Sequence, residues 1–208
     1  GIRDCEITSV SVFKKDISEY TDERLMEQFI SKGHHKFIEE IYIRYSPRIL
    51  GYFCRLYHGD IDKSQDLLQD LFLKVIEKKE QYDTSRKFYT WIFTIASNLS
   101  KSDFRKLSNR NSTREFPVDK TPAHLDVNLY DAAEFKQALK MSISNLTHAH
   151  KVVFILRYNE GFSVREISDI VEVSEGTIKS RLYYATQNVS KELQEFSPVN
   201  ETQIFKTN

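Results

Sequence analysis

The chain is poor in cysteine, proline and glycine, and it carries no excess of either charge. Cys5 and Cys54 are its two cysteines among 208 residues. Two isolated thiols make neither a disulfide framework nor a metal-binding spacing, so a reducing compartment, the cytoplasm, is expected. Four prolines and six glycines argue against a long low-complexity segment. No run approaches the ~18 consecutive apolar residues of a membrane-spanning helix. The opening GIRDCEITSVSVF lacks the basic-then-apolar pattern of a secretory signal. No GxxxxGK[ST] loop is there to cradle a phosphate. His34, His35, His148 and His150 are the best ligand candidates, but no acid cluster or cysteine motif accompanies them. They read as surface histidines. We therefore expect no metal, no cofactor, no catalytic residue and no small-molecule substrate. The 30 basic and 30 acidic residues cancel. A zero balance leaves a nucleic-acid partner open, because the distribution of charge decides that question.

What the chain does have is helical periodicity. Hydrophobic residues make up 40% and aromatics 12%, enough for a buried core. Residues 1–20 show no period and read as a loose arm. Thr21 or Asp22 opens a first helix, with Leu25, Phe29 and Ile30 on one face and Gly33 as its end. A second helical stretch spans 35–57, kinked or divided by Pro47. Asp60 or Asp62 starts a third, with Leu67, Leu68, Leu71, Phe72, Val75 and Ile76 towards the core. A fourth runs from about Lys87 to Leu107. Residues 108–130 hold Pro117 and Pro122 and no period, which marks a linker. A second helical block covers 131–193, and the tail after it reads as disordered. The expected fold is all-α: two small helical domains, at 21–107 and 131–193, joined by a flexible linker at 108–130.

The second block contains GFSVREISDIVEVSEGTIKSRLYYA. Ser163 stands three residues before Glu166, the spacing of a capping box. Val164, Ile167 and Ile170 or Val171 make one apolar face, and Val173 plugs the following angle. Ser174 then caps a second helix whose buried stripe is Ile178, Leu182, Ala185 and Val189. Glu175, Gly176, Thr177, Lys179, Ser180 and Arg181 fall on the other faces. This is a helix-turn-helix pattern. The front of its second helix offers N–H groups, small polar side chains and two cations to base edges and phosphates.

In the first block, residues 86–114 interleave Arg86, Lys87, Lys101, Arg105, Lys106, Arg110 and Arg114 with Phe88, Tyr89, Trp91, Phe93 and Phe104. Cations track phosphates and rings stack on unpaired bases, so the mixture suits melted nucleic acid. Trp91 reads as core, whereas Phe88 and Tyr89 read as surface residues. Gln65, Asp66, Gln69 and Asp70 share one helix face. That face is either a solvated strip or a docking surface for a protein.

Two stretches carry a resemblance. DKSQDLLQDLFLKVIEKKEQYD followed by FYTWIFTIASNLSKSDFRK resembles region two of bacterial RNA polymerase sigma factors of the extracytoplasmic-function (ECF) subgroup. ALKMSISNLTHAHKVVFILRYNEGFSVREISDIVEVSEGTIKSRLYYA resembles region four, and the likeness extends over roughly residues 21–193. It implies that Gln65, Asp66, Gln69 and Asp70 dock on core RNA polymerase. It implies that Tyr82, Arg86, Lys87, Phe88, Tyr89, Asn98, Lys101 and Arg105 meet the minus-ten promoter element. It assigns Ser174, Glu175, Thr177, Lys179, Ser180 and Arg181 to the minus-thirty-five element. It also implies promoter DNA and an anti-sigma factor as partners, and an acidic linker along the RNA exit path. Ser97, Tyr183, Tyr184 and Thr147 depart from residues common in the family. The alternative is a helix-turn-helix regulator that binds duplex DNA without being a polymerase subunit.

Overall fold

Side-chain oxygens set most of the helix starts. Thr21 accepts the Arg24 N–H at 3.2 Å and opens α1 (Asp22–Lys32). Gly33 closes it at φ 67°, a left-handed position that suits a residue without Cβ. Helix α2 is His35–Leu56. Asp60 accepts the Lys63 N–H at 3.0 Å and opens α3 (Ile61–Glu77). Helix α4 (Phe88–Asn111) uses a residue from elsewhere: Glu23 of α1 accepts the Phe88 N–H at 3.0 Å. Then come α5 (Ala132–Ser144), α6 (His148–Tyr158), α7 (Val164–Val171) and α8 (Glu175–Glu192). Single 3-10 turns lie at Ile17–Glu19 and Lys79–Gln81. This computed structural model describes residues 17–111 and 132–194. Among them every regular element is helical, as expected. The expected arm as far as residue 16, the linker from 112 and the tail from 195 lie outside the described residues.

In the first half α2 runs through the middle, packed by α1, α3 and α4. Leu25, Ile41, Ile49, Tyr52, Phe53, Leu71 and Phe93 are fully buried there. Arg44 of α2 ties down the chain entry. It donates to Asp22 and Glu40, each at 2.8 Å, and to the Tyr20 and Ser18 carbonyls at 2.8 and 2.7 Å. In the second half α6 and α8 pack together, with α5 on α8 and α7 across both α6 and α8. Val153, Ile155, Leu156, Ile167, Ile170 and Ile178 sit inside. The core does not stop at the boundary: these residues and those of α1–α4 form one continuous apolar cluster. Helix α7 lies against α4, and α6 against α2.

Three expectations need correction. Helix α2 is one helix through Pro47 and is not divided there. The proline lies on the exposed side, while buried Tyr45 and Ile49 anchor the helix on both flanks. Ile76 is 43% exposed; Val75 and Leu71 take the inward positions instead. Helix α4 continues to Asn111, because nothing in SNRN breaks a helix.

Candidate functional site

The helix-turn-helix is built as its caps require. Ser163 Oγ accepts the Glu166 N–H at 3.2 Å, and Glu166 accepts the Ser163 N–H at 3.0 Å. These Ser163 donors hold the Glu166 carboxyl below the usual carboxylate range. The turn passes through Glu172, a left-handed residue at φ 56°, and Ser168 donates to the Val173 carbonyl at 2.5 Å. Val173 is partly buried against the core at this corner. Ser174 accepts the Thr177 N–H at 3.3 Å and starts α8. Ile178 and Ala185 are fully buried, which aims the helix's other faces outward. Ser174, Glu175, Lys179 and Ser180 are exposed, with Thr177 and Arg181 partly so. The front of α8 is therefore an accessible positive helix end with two cations beside it.

Gln65, Asp66, Gln69 and Asp70 are all exposed along α3. Sequence reasoning missed what adjoins them. Leu73, 64% exposed, follows Gln69 by four residues on the same face, and Ile76 continues the row. Tyr42 of α2 packs its ring on Phe72, and it and Ile43 also stand open. The polar strip thus ends in an apolar patch, the composition of a protein contact more than of a solvated helix. The signal was available for Leu73, which sits off the stripe defined by Leu68, Leu71, Phe72 and Val75.

The residues expected at the minus-ten element divide. Arg86, Lys87, Asn98, Lys101 and Arg105 are exposed. Spacings of three and four place Asn98, Lys101 and Arg105 along one side of α4, and Lys87 immediately precedes its first residue. Tyr82 and Phe88 are buried, which corrects the surface reading of Phe88. Its ring meets Tyr45 and Tyr82 edge-on, at 5.2 and 5.6 Å. Tyr82 donates to the Arg86 carbonyl at 2.5 Å and so shapes the loop from beneath. Trp91 is partly exposed, 5.0 Å from the Tyr82 ring and 5.8 Å from Phe88. Asp83 accepts from the Ser85 N–H and hydroxyl, and these bonds hold its carboxyl below its ordinary range.

Tyr89 points the other way. It stacks on Phe162 of the second half, with ring centres 4.5 Å apart and planes at 17°. Its hydroxyl donates to the Glu160 carbonyl at 3.1 Å. Burial pushes the phenol well above its ordinary value. Arg48 lies over the same ring at 4.7 Å.

Comparison with known proteins places this geometry. Residues 41–110 match the model of the sigma-70 region 2 family, and residues 136–187 match that of sigma-70 region 4. RNA polymerase sigma-H factor of Pseudomonas aeruginosa is 24% identical over 188 residues, which span 86% of this chain and 96% of that one. ECF RNA polymerase sigma factor SigL of Mycobacterium tuberculosis is 28% identical over 156 residues, 74% of this chain and 88% of that one. Among solved structures, the sigma factor RpoE of Bartonella quintana, in complex with the anti-sigma factor NepR, superposes with a TM-score of 0.59 at 26% identity. That match covers 77% of this chain and 98% of RpoE. The two family models together span more than half of the chain, the first over α2–α4 and the second over α5–α8. The protein belongs to the sigma-70 family of RNA polymerase sigma factors, within its ECF group.

Proposed function

We propose that this chain is the promoter-specificity subunit of a bacterial RNA polymerase. It docks on core enzyme through the α3 strip of Gln65, Asp66, Gln69 and Asp70, extended by Leu73 and Ile76. It meets the upstream promoter element with the front of α8 and engages the melted downstream element around the start of α4. Residues 21–111, to the end of α4, and 131–193 serve these two tasks. The chain performs no chemistry itself, and we place it in the cytoplasm. Among the described residues no helix is long and apolar enough to cross a membrane. Because RpoE was solved with an anti-sigma factor, we infer the same class of partner here.

One observation carries the reading: a capped helix-turn-helix and an exposed amide-carboxylate strip ending in apolar side chains occur on one chain. A regulator acting on duplex DNA alone has no use for the second. The test is run-off transcription with sigma-free core polymerase from the native organism and a fragmented genomic template. New discrete starts that vanish on Asp66→Ala with Gln69→Ala support the proposal. Salt-sensitive duplex binding without core, and no new starts, support the regulator.

A further inference from the structure

Helix α4 begins without a local cap. Lys87, the residue before it, carries donors and no acceptor in its side chain. Ser85, three residues before Phe88, turns its hydroxyl to Asp83 at 2.7 Å instead. The first N–H groups of a helix have no partners within it, and a start left that way frays. The partner here comes from far along the chain. Glu23, in the first turn of α1, accepts the Phe88 N–H across 65 residues of sequence.

Glu23 does not act alone. Next to it Asp22 accepts from the Tyr45 hydroxyl as well as from Arg44. The Tyr45 ring meets Phe88 edge-on. Two adjacent acids of α1 thus hold the first residue of α4 twice, at its N–H and through its ring. Further along α1, Lys79 lies over the Phe29 ring at 4.9 Å, so α1 also braces the 3-10 turn that leads into residues 82–87. Tyr82 closes that segment from beneath through the Arg86 carbonyl. The segment that presents Arg86 and Lys87 is therefore set at both ends, and α1 reaches both. Glu23 is partly buried, lies outside the matched residues 41–110, and belongs to none of the promoter surfaces assigned above. Its carboxylate also occupies the place a phosphate would take at this helix end, in contrast with the open front of α8. Cationic side chains, and not the helix end, are left to meet the strand.

We propose that Glu23 is a positioning residue for recognition of the melted downstream element. It fixes the first turn of α4, and so where Arg86 and Lys87 stand for the strand. It touches no nucleotide itself. The proposal rests on the sigma-factor reading for what the segment engages, but not for the cap. Losing a hydrogen bond to a charged acceptor shifts the balance between an ordered and a frayed start by about tenfold. A strand that needs the ordered start then binds more weakly by up to that factor.

The test uses core polymerase from the native organism with three full chains: the parent, Glu23→Ala and Glu23→Gln. The probe is a labelled single strand copied from the downstream element of a start mapped by run-off transcription. A second strand carries the same bases scrambled. Glu23→Ala should weaken binding of the matched strand by about threefold to tenfold, with binding of the scrambled strand and of core unchanged. Glu23→Gln, which keeps an acceptor oxygen, should recover most of the loss. In the free chain, amide exchange at residues 88–91 should quicken in Glu23→Ala and return towards the parent in Glu23→Gln. Unchanged binding or exchange in Glu23→Ala, equal loss on both strands, lost core affinity, or no recovery in Glu23→Gln would overturn the proposal. No starts from any chain, the parent included, would overturn the sigma-factor reading and the role in recognition with it, while exchange would still decide whether Glu23 caps α4.

Discussion

Lys151 stands in the core of the second half, 2% exposed. Its ammonium donates to the Ser144 carbonyl at 3.0 Å and lies 3.3 Å from His58 Nε2. Burial pushes it down from 10.5 to about 8. That difference, at about 1.4 kcal/mol per pH unit, makes the buried charge cost about 3 kcal/mol. The direction follows from proton counting. Between about pH 8 and 10.5 the unfolded chain holds more protons than the folded one, so stability rises with pH through that window. Below it the whole cost is carried. Lys151→Met fills the space without a charge but strands the Ser144 carbonyl, a loss of about 1 kcal/mol. The variant should therefore be more stable than the parent by about 2 kcal/mol at neutral pH, and the advantage should vanish near pH 10. Neighbouring groups do not blur this. Burial, then Lys151 itself, lowers His58, and the same two causes lower His148 to about 4 against the opposing pull of Asp103. Urea unfolding of both chains at neutral pH and near pH 10 is the assay. A difference that is the same at both values, or a variant less stable at neutral pH, refutes the reasoning.

Ser163→Ala removes the hydroxyl that accepts the Glu166 N–H and leaves the backbone half of the capping box in place, and the urea midpoint should report a loss of about 1 kcal/mol. Arg44→Met removes the arginine's bonds to the Ser18 and Tyr20 carbonyls and its charge beside Asp22. It should cost about 2 kcal/mol and speed amide exchange around residues 17–20. Lys179→Ala and Arg181→Ala should each reduce the salt slope of promoter binding by about 1, measured as affinity against salt concentration.

Local signals were legible in the sequence because their partners lie within one turn. Thr21 with Arg24, Ser163 with Glu166 and Ser174 with Thr177 are three residues apart, and each was expected. The exposed strip on α3 and the buried stripe of α8 follow from period alone. Signals that need a distant partner were not legible. Phe88 looks like a surface ring at a helix start, but Tyr45 and Tyr82 arrive from elsewhere to enclose it. Lys151 reads as an ordinary cation near the front of a helix until the Ser144 carbonyl and His58 surround it. Glu160, in the polar run Asn159–Glu160–Gly161, has the composition of an open turn, and only the arginines of α2 show otherwise. The linker rested on composition, and its residues from 112 to 130 lie outside those described.

Trp91 is the chain's single tryptophan, and it sits partly exposed against Tyr82 at the head of α4. The protein thus carries one selectively excitable fluorophore at the place where melted DNA is proposed to bind. Its emission colour tracks local wetness, and its quenching by added iodide tracks access from solvent. Both can be followed in real time on the unlabelled chain. Mixing with polymerase or with a single strand then becomes an optical experiment whose signal has one known origin.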